Sequence, residues 1–113
     1  MKLIFVSMPY SAPTPEGIRA NIEAAEVVSI KLIKAGWAVY TPHKNTDGYE
    51  RYEGQDGITK DIWYAEDLEI LRRCDAIFMG PHWIHSHGAI GELAEAQRTG
   101  KQVFYYEDGI PKP

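Results

Sequence analysis

The segment DAIFMGPHWIHSHGAIGELAEAQRTG, residues 75–100, decides the predicted fold. It begins with a short apolar run at residues 76–79, which breaks at Gly80 into a loop containing one tryptophan and three histidines. The pattern then becomes helical over residues 86–99, with Ser86 as the N-cap. Strand, polar loop and helix in this order are how an α/β protein places chemistry at the carboxyl end of its sheet.

Glu92 is the first candidate functional residue, because it falls in the second turn of this predicted helix. Helical side chains lean toward the helix N-terminus, so we expect Glu92 to reach the loop side and to lie at a crevice rather than in the core. Gly88, Ala89 and Gly91 leave room beside it, and the helix dipole favours an ionised carboxylate there. The alternative is an ordinary solvated glutamate on an amphipathic helix.

The rest of the chain continues the alternation of strands and helices. Strands are predicted at residues 2–8, 37–41, 76–79 and 102–106. Helices are predicted from Pro15 or Glu16 to Ala35, from Thr59 to Arg73, and over residues 86–99. Such alternation implies right-handed crossovers and a parallel sheet. We therefore expect one α/β domain over residues 1–113, a Rossmann-like or flavodoxin-like three-layer sandwich with a four- or five-stranded parallel sheet.

In a sheet of this kind the ligand crevice lies beyond the carboxyl ends of the strands. Four segments are expected to meet there: residues 8–14, the polar loop 42–58, residues 80–87 and the tail after Tyr106. A loop as long as 42–58 is often functional or mobile in a small domain.

Asp67 is the second candidate, because it interrupts an apolar stripe of the second long predicted helix. The other members of that stripe are Trp63, Ile70, Leu71 and Cys74. A buried carboxylate without a partner is costly, so it normally has a partner or a task. If Asp67 faces Glu92 across the crevice, the two carboxylates suit the cleavage of a glycosidic bond. The alternative is that Asp67 makes only a structural hydrogen bond.

Composition and charge exclude several classes of function. A net charge of −4 argues against binding to a nucleic-acid polymer. The chain has no apolar run near the roughly 20 residues of a membrane span, no leader pattern and one cysteine, so we expect a cytoplasmic protein. There is no glycine-rich phosphate loop, and we expect neither a metal nor a cofactor. A metal-dependent hydrolase built on His82, His85 and His87 is the alternative, although their spacing is not a standard zinc pattern.

Three motifs together resemble the nucleoside 2-deoxyribosyltransferase-like superfamily. The first is Met8-Pro9-Tyr10-Ser11, which is similar to the family's opening motif except that Met8 stands where glycine is common. The second is Asp67-Leu68 followed by Cys74-Asp75-Ala76. The third is the most specific: Pro81-x-Trp83-x-x-Ser86-x-Gly88-Ala89-x-x-Glu92-x-x-x-Ala96.

The resemblance implies roles for individual residues. Glu92 corresponds to the glutamate that attacks the anomeric carbon, Asp67 to the assisting aspartate, and Tyr10 to a tyrosine near the sugar. Ser86 corresponds to a serine on the 5′ side. The other expected substrate-binding residues are Pro9, Ser11, His43, Trp83 and Gly88.

The expected activity is cleavage of the N-glycosidic bond of a (deoxy)nucleoside or nucleoside 5′-monophosphate, by hydrolysis or base exchange. A non-catalytic nucleotide-binding or signalling module of the same fold is the alternative. The superfamily implies a homodimer or a higher homo-oligomer. A strip of small apolar residues on the first helix is a candidate contact surface, unless it only widens the core face; it comprises Ala20, Ala24, Val27 and Val28.

Overall fold

Four parallel strands form the centre of the computed structural model, which describes residues 1–113. The strands are β1 (Leu3–Ser7), β2 (Ala38–Tyr40), β3 (Ala76–Met79) and β4 (Gln102–Tyr105). The helices are α1 (Pro15–Lys34), α2 (Pro42–Thr46), α3 (Asp61–Arg72) and α4 (His87–Arg98). Short 3-10 turns occur at Tyr49–Tyr52, Trp83–His85 and Tyr106–Asp108.

The sheet has the strand order β2-β1-β3-β4, and every neighbouring pair is parallel. Side chains that alternate along β1 and β3 build two separate cores. Val6 and Phe78 pack with residues of α1 on one face, whereas Phe5 and Ile77 pack with residues of α3 and α4 on the other. The predicted three-layer Rossmann-like sandwich is confirmed, with four strands in its sheet.

Helix α1 begins and ends as its sequence predicts. The amide of Gly17 donates to the Thr14 hydroxyl at 3.0 Å, and Pro15 occupies the first turn, where its missing N–H costs nothing. Gly36 ends the helix with φ 107°, a left-handed conformation that glycine adopts without strain. Of the strip predicted for self-association, Val28 belongs to the core, because it is only 8% exposed. The remaining members, Ala20, Ala24 and Val27, lie on the outer face of the helix.

Residues 42–58 are not a plain loop, which corrects the sequence prediction. Thr41 is extended and Pro42 opens the short helix α2, in which the Thr46 hydroxyl donates to the Pro42 carbonyl at 3.0 Å. Five residues are too few to give a readable helical period, so the pattern alone could not indicate this helix. Its consequence is that His43 is buried against the loop after β1 rather than lying in solvent.

The tail after Tyr106 does not reach the crevice, contrary to expectation. Gly109 has φ 86°, and the chain beyond it runs back over the α1 side of the sheet. There the Trp37 indole N–H donates to the Pro111 carbonyl at 2.8 Å. The other predicted boundaries differ from the observed ones by one or two residues, a normal uncertainty at element ends. None of the helices is both long enough and apolar enough to cross a membrane.

Candidate active site

A cavity of about 740 Å³ lies beyond the carboxyl ends of the strands. The loop after β1, helix α2 with the turn that follows it, helix α3 and the start of α4 supply its walls. It therefore joins three of the segments that were expected to meet there, together with α3. The titratable side chains that line it are Tyr10, His43, Glu50, Glu53, Lys60, Asp61, Tyr64, Asp67, His85, His87 and Glu92.

Glu92 lines the cavity but is itself buried, with only 7% of its surface exposed. Glu92 is therefore not a solvated helix glutamate. It lies at the cavity but is more deeply buried than was expected. The Ser7 hydroxyl, at the last residue of β1, donates to Glu92 Oε1 at 2.6 Å. Burial raises the pKa of Glu92 to about 8, with a further rise from the charge of Asp67 and an opposing effect of the Ser7 hydrogen bond. The carboxyl group thus changes its protonation state near neutral pH.

The N-terminus of α4 has the geometry predicted for it. Ser86 is extended, and its hydroxyl accepts a hydrogen bond from the amide of Ala89 at 3.2 Å. The cap leaves Ser86, His87 and Gly88 on the cavity wall. Glu92 follows about one turn later, so it lies close to the positive end of the helix dipole.

Asp67 is also buried, at 9% exposure, and its nearest donor is the hydroxyl of Tyr40 at 3.5 Å. Burial is the main cause that raises the pKa of Asp67 to about 7; the charge of Glu66 adds to the rise and the Tyr40 hydrogen bond opposes it. The charge of Asp67 in turn contributes to the raised pKa of Glu92. No cation pairs with either of them.

Tyr10 and Trp63 line the cavity, and two further carboxylates hold their side chains. The Tyr10 hydroxyl donates to Glu50, and burial together with that carboxylate raises the pKa of Tyr10. The Trp63 indole N–H donates to Glu53 Oε1 at 2.5 Å. Both acceptors belong to the stretch around the Tyr49–Tyr52 turn, so hydrogen bonds join this stretch to the loop after β1 and to helix α3.

His43 supports the loop after β1. Its Nε2 lies 2.9 Å from the Pro9 carbonyl, and its ring meets the edge of Tyr10 with 5.6 Å between the ring centroids. Burial lowers the pKa of His43, which favours the neutral ring. A buried neutral imidazole with this contact fixes the backbone of Pro9 and the direction of Tyr10.

Two glycines make room for side chains of the site. At Gly91 a Cβ atom would collide with the Tyr64 hydroxyl, so the space predicted beside Glu92 is filled by tyrosine. At Gly80 a Cβ atom would collide with the side chain of Met8. The departure from the family's motif at Met8 is therefore accommodated by a glycine at the end of the neighbouring strand.

The structure brings together all the predicted site residues except one. Pro9, Tyr10, Ser11, His43, Asp67, Ser86, Gly88 and Glu92 line the cavity. Trp83 does not, because its ring packs on Tyr105 with 5.8 Å between the centroids, against the core on the α4 side.

Ser7, Tyr40 and Tyr64 were not identified from the sequence. A signal existed only for Ser7, which is the one polar residue of an otherwise apolar strand and stands at its carboxyl end. Tyr40 and Tyr64 fit the patterns of an ordinary strand and an ordinary helix, so the sequence gives no sign of a role in the site.

The three histidine side chains of the loop after β3 do not come together at one site. His85 and His87 are exposed on the cavity wall, whereas His82 does not line it. The structure contains no group of three or more histidine, cysteine, aspartate or glutamate side chains placed to hold a metal ion.

Comparison with known proteins gives a family and a fold. Residues 2–108 match the family described as domain of unknown function DUF1937. No curated protein matches the sequence. Several solved structures are similar, and two of them are 2-deoxyribosyltransferases of low sequence identity. A 2-deoxyribosyltransferase from Bacillus psychrosaccharolyticus has a TM-score of 0.61 and 23% identity, over 91% of this chain and 70% of that one.

The second similar structure is a 2-deoxyribosyltransferase from Leishmania mexicana, with a TM-score of 0.60 and 18% identity. The match covers 94% of this chain but only 64% of that enzyme, so the present chain spans less than two thirds of its length. At such identities the likeness concerns the fold. The chain belongs to the DUF1937 family and has a nucleoside 2-deoxyribosyltransferase-like fold.

Proposed function

We propose that this protein cleaves the N-glycosidic bond of a (deoxy)nucleoside or nucleoside 5′-monophosphate, by hydrolysis or by exchange of the base. One observation carries the proposal: two buried carboxyl groups, Asp67 and Glu92, share one cavity and have pKa values raised to about 7 and about 8. Carboxyl groups that exchange protons near neutrality are suited to act as nucleophile and as acid–base catalyst at a sugar carbon.

In the first step, Glu92 attacks C1′ and its oxygen forms an ester bond with that carbon, while the bond from C1′ to the base nitrogen breaks. Asp67 donates its proton to the departing base. The two groups titrate as a pair, and the reactive form carries the proton on Asp67 and the charge on Glu92. Because the pKa of Glu92 (about 8) lies above that of Asp67 (about 7), this reactive form is the less populated of the two singly protonated forms. The Ser7 hydroxyl and the α4 dipole raise its share, because both stabilise a charged Glu92.

In the second step, water or another base attacks C1′ and Asp67 accepts the proton that this nucleophile releases. The ester bond to Glu92 breaks and the carboxylate is restored. A double displacement of this type places the two carboxyl groups about 5–5.5 Å apart when substrate is engaged, by analogy with retaining glycosidases.

The remaining wall residues position the sugar. We assign Tyr10, Pro9 and Ser11 to contacts along the sugar, with His43 holding the backbone of Pro9 in place. Ser86 and Gly88 lie at the start of α4, where backbone amides and the helix dipole suit the 5′ oxygen or a phosphate.

The test is incubation with pooled nucleosides and nucleoside 5′-monophosphates, with and without an added free base, followed by chromatography. Free base without an acceptor indicates hydrolysis, and a new nucleoside formed from the added base indicates transfer. Both products should disappear with Glu92→Gln. Binding without any product would support the non-catalytic alternative, and activity that is lost in chelator would support the metal-dependent one.

We also propose that α1 mediates self-association. Its outer face carries Ala20, Ala24 and the 58% exposed Val27. In an antiparallel two-fold pairing centred on Val27, Glu23 lies opposite the partner's Lys31, so the contact joins apolar packing to complementary charge. Light scattering should then show a dimer that Val27→Asp dissociates and Val27→Ile preserves. A wild-type monomer at high concentration would contradict this.

A further inference from the structure

None of the carboxylates that line the cavity forms an ion pair, whereas four carboxylates elsewhere in the chain do. These four are Asp47 with Arg19, Glu26 with Lys44, Glu69 with Arg72 and Arg73, and Glu95 with Arg72 and Arg98. Four of the carboxylates that line the cavity accept from neutral donors instead: Glu92 from Ser7, Asp67 from Tyr40, Glu50 from Tyr10, and Glu53 from Trp63. The charges of these wall carboxylates are therefore not neutralised by an ion pair, and their remaining oxygens can accept hydrogen bonds from a ligand.

Glu50 and Glu53 are the members of this set that the proposed chemistry does not use. Both line the cavity and both are half-buried. Each accepts a hydrogen bond through Oε1 alone, and neither forms an ion pair. A carboxylate has no hydrogen to donate, so the second oxygen of each can only accept one. Lys60 is the only lysine or arginine on the wall, and nearby Asp61 adds a further carboxylate.

The position of these two residues assigns them to the base rather than to the sugar. The reacting carbon must approach buried Glu92, so the sugar occupies the inner part of the cavity. The base leaves and is replaced, so we place it against the less buried part of the wall, to which the half-buried Glu50 and Glu53 belong. The same carboxylates fix Tyr10 and Trp63, and aromatic side chains of this kind offer stacking surfaces for a nucleobase.

We infer that Glu50 and Glu53 form a base-recognition wall that selects nucleobases presenting amino groups over bases presenting a carbonyl at the same position. An amino group donates to the free carboxylate oxygen in a charge-assisted hydrogen bond. A carbonyl oxygen at that place sets one acceptor against another and leaves both without a partner, which is the costly arrangement. The inference rests on the proposed function for the placement of the sugar.

Matched nucleosides test this selection. Cytidine and uridine differ by an amino group against a carbonyl, with an acceptor against an N–H at the neighbouring ring nitrogen, and adenosine and inosine differ in the same way. The four compounds, each in its ribose and 2′-deoxyribose form, are compared by kcat/KM for base release. We expect the amino member of each pair to be favoured by about tenfold or more, as one charge-assisted hydrogen bond allows. Equal values within both pairs would overturn the inference.

Two variants assign the preference to residues. Glu53→Gln keeps an oxygen that can accept from Trp63 but replaces the free acceptor with an amide NH₂ donor, and Glu50→Gln does the same beside Tyr10. The preference for amino bases should fall to about threefold or less, or reverse, in at least one of them. The control is Glu107→Gln in the turn after β4, which removes the same charge away from the cavity. An unchanged preference in both cavity variants would overturn the assignment.

A binding arm separates this inference from the proposed function. The same nucleosides are titrated by calorimetry into Glu92→Gln, which is expected to bind without turnover. Preferential binding of cytidine and adenosine without base release by the wild type would refute the proposed reaction and support the base wall. Base release from both members of each pair at equal rates would support the reaction and refute the wall. Failure of all the nucleosides to bind would overturn the inference.

Discussion

Helices α3 and α4 each carry acidic residues of two opposite kinds. On the cavity side, burial raises the pKa of Asp67 to about 7 and that of Glu92 to about 8. Two or three residues further along the same helices, arginines lower the pKa values of Glu69 and Glu95. Hydrogen bonds from Arg98 and Arg72 hold the pKa of Glu95 at about 2. Glu69 and Glu95, the outward pair, therefore stay charged at neutral pH. Asp67 and Glu92, the inward pair, exchange a proton near neutral pH.

The contrast shows that the position of a residue around the helix, rather than its type, decides whether its pKa is raised or lowered. The outward pair joins α3 to α4 through Arg72, which contacts both Glu69 and Glu95. The inward pair has only hydroxyl partners and is kept from water, so its ionisation opposes folding. Such opposition between stability and chemistry is common at catalytic sites.

The largest effect is expected from removing the inward glutamate. Glu92→Gln retains an acceptor for the Ser7 hydroxyl but cannot form an ester with C1′, so turnover should fall by about 10³-fold or more. The matched control is Glu95→Gln on the same helix. It should keep its turnover while its melting temperature falls, because two arginine contacts are weakened. Wild-type turnover in Glu92→Gln would remove this residue from the mechanism.

A smaller effect is expected at Asp67. Asp67→Asn keeps the shape and the Tyr40 contact but cannot donate a proton, so turnover should slow by about 10²-fold or more. Its melting temperature should stay within a few degrees of wild type, corresponding to roughly 1 kcal/mol or less. Glu69→Gln serves as the matched control on α3, with unchanged turnover. A destabilised but fully active Asp67→Asn would show that Asp67 is only structural.

The two classes also predict opposite dependences of stability on pH. Between about pH 4.5, the ordinary value, and about pH 8, folded Glu92 holds a proton that the unfolded chain has released, so its contribution to stability is lost as pH rises. For Glu95 the contribution is present above pH 4.5 and is lost as pH falls toward about 2.

Thermal melts of the two glutamine variants separate these dependences. Glu92→Gln should melt above wild type at pH 8 and lose that advantage by pH 5. The deficit of Glu95→Gln should narrow as the pH falls below 4. A melting difference between Glu92→Gln and wild type that does not change from pH 5 to pH 8 would contradict the raised pKa.

Much of this arrangement follows from local patterns in the sequence. The apolar runs predicted the strands to within one or two residues, and Ser86 predicted the cap that places Glu92 beside the cavity. Trp83 was misplaced because its motif fixes its position along the chain, whereas packing on Tyr105 fixes its direction. The contacts of Ser7 with Glu92 and of Tyr10 with Glu50 join residues far apart in sequence, and no local period reports such pairs.

The covalent bond between the sugar and Glu92 is tested most directly by trapping the sugar on the protein. A nucleoside turned over by the wild type is mixed with the enzyme, quenched in acid at times shorter than one turnover, and analysed by intact and peptide mass spectrometry. We expect one added sugar residue, without its base, on the peptide carrying Glu92, and no adduct on Glu92→Gln. Turnover with no adduct at those times, or an adduct on any other residue, would contradict it.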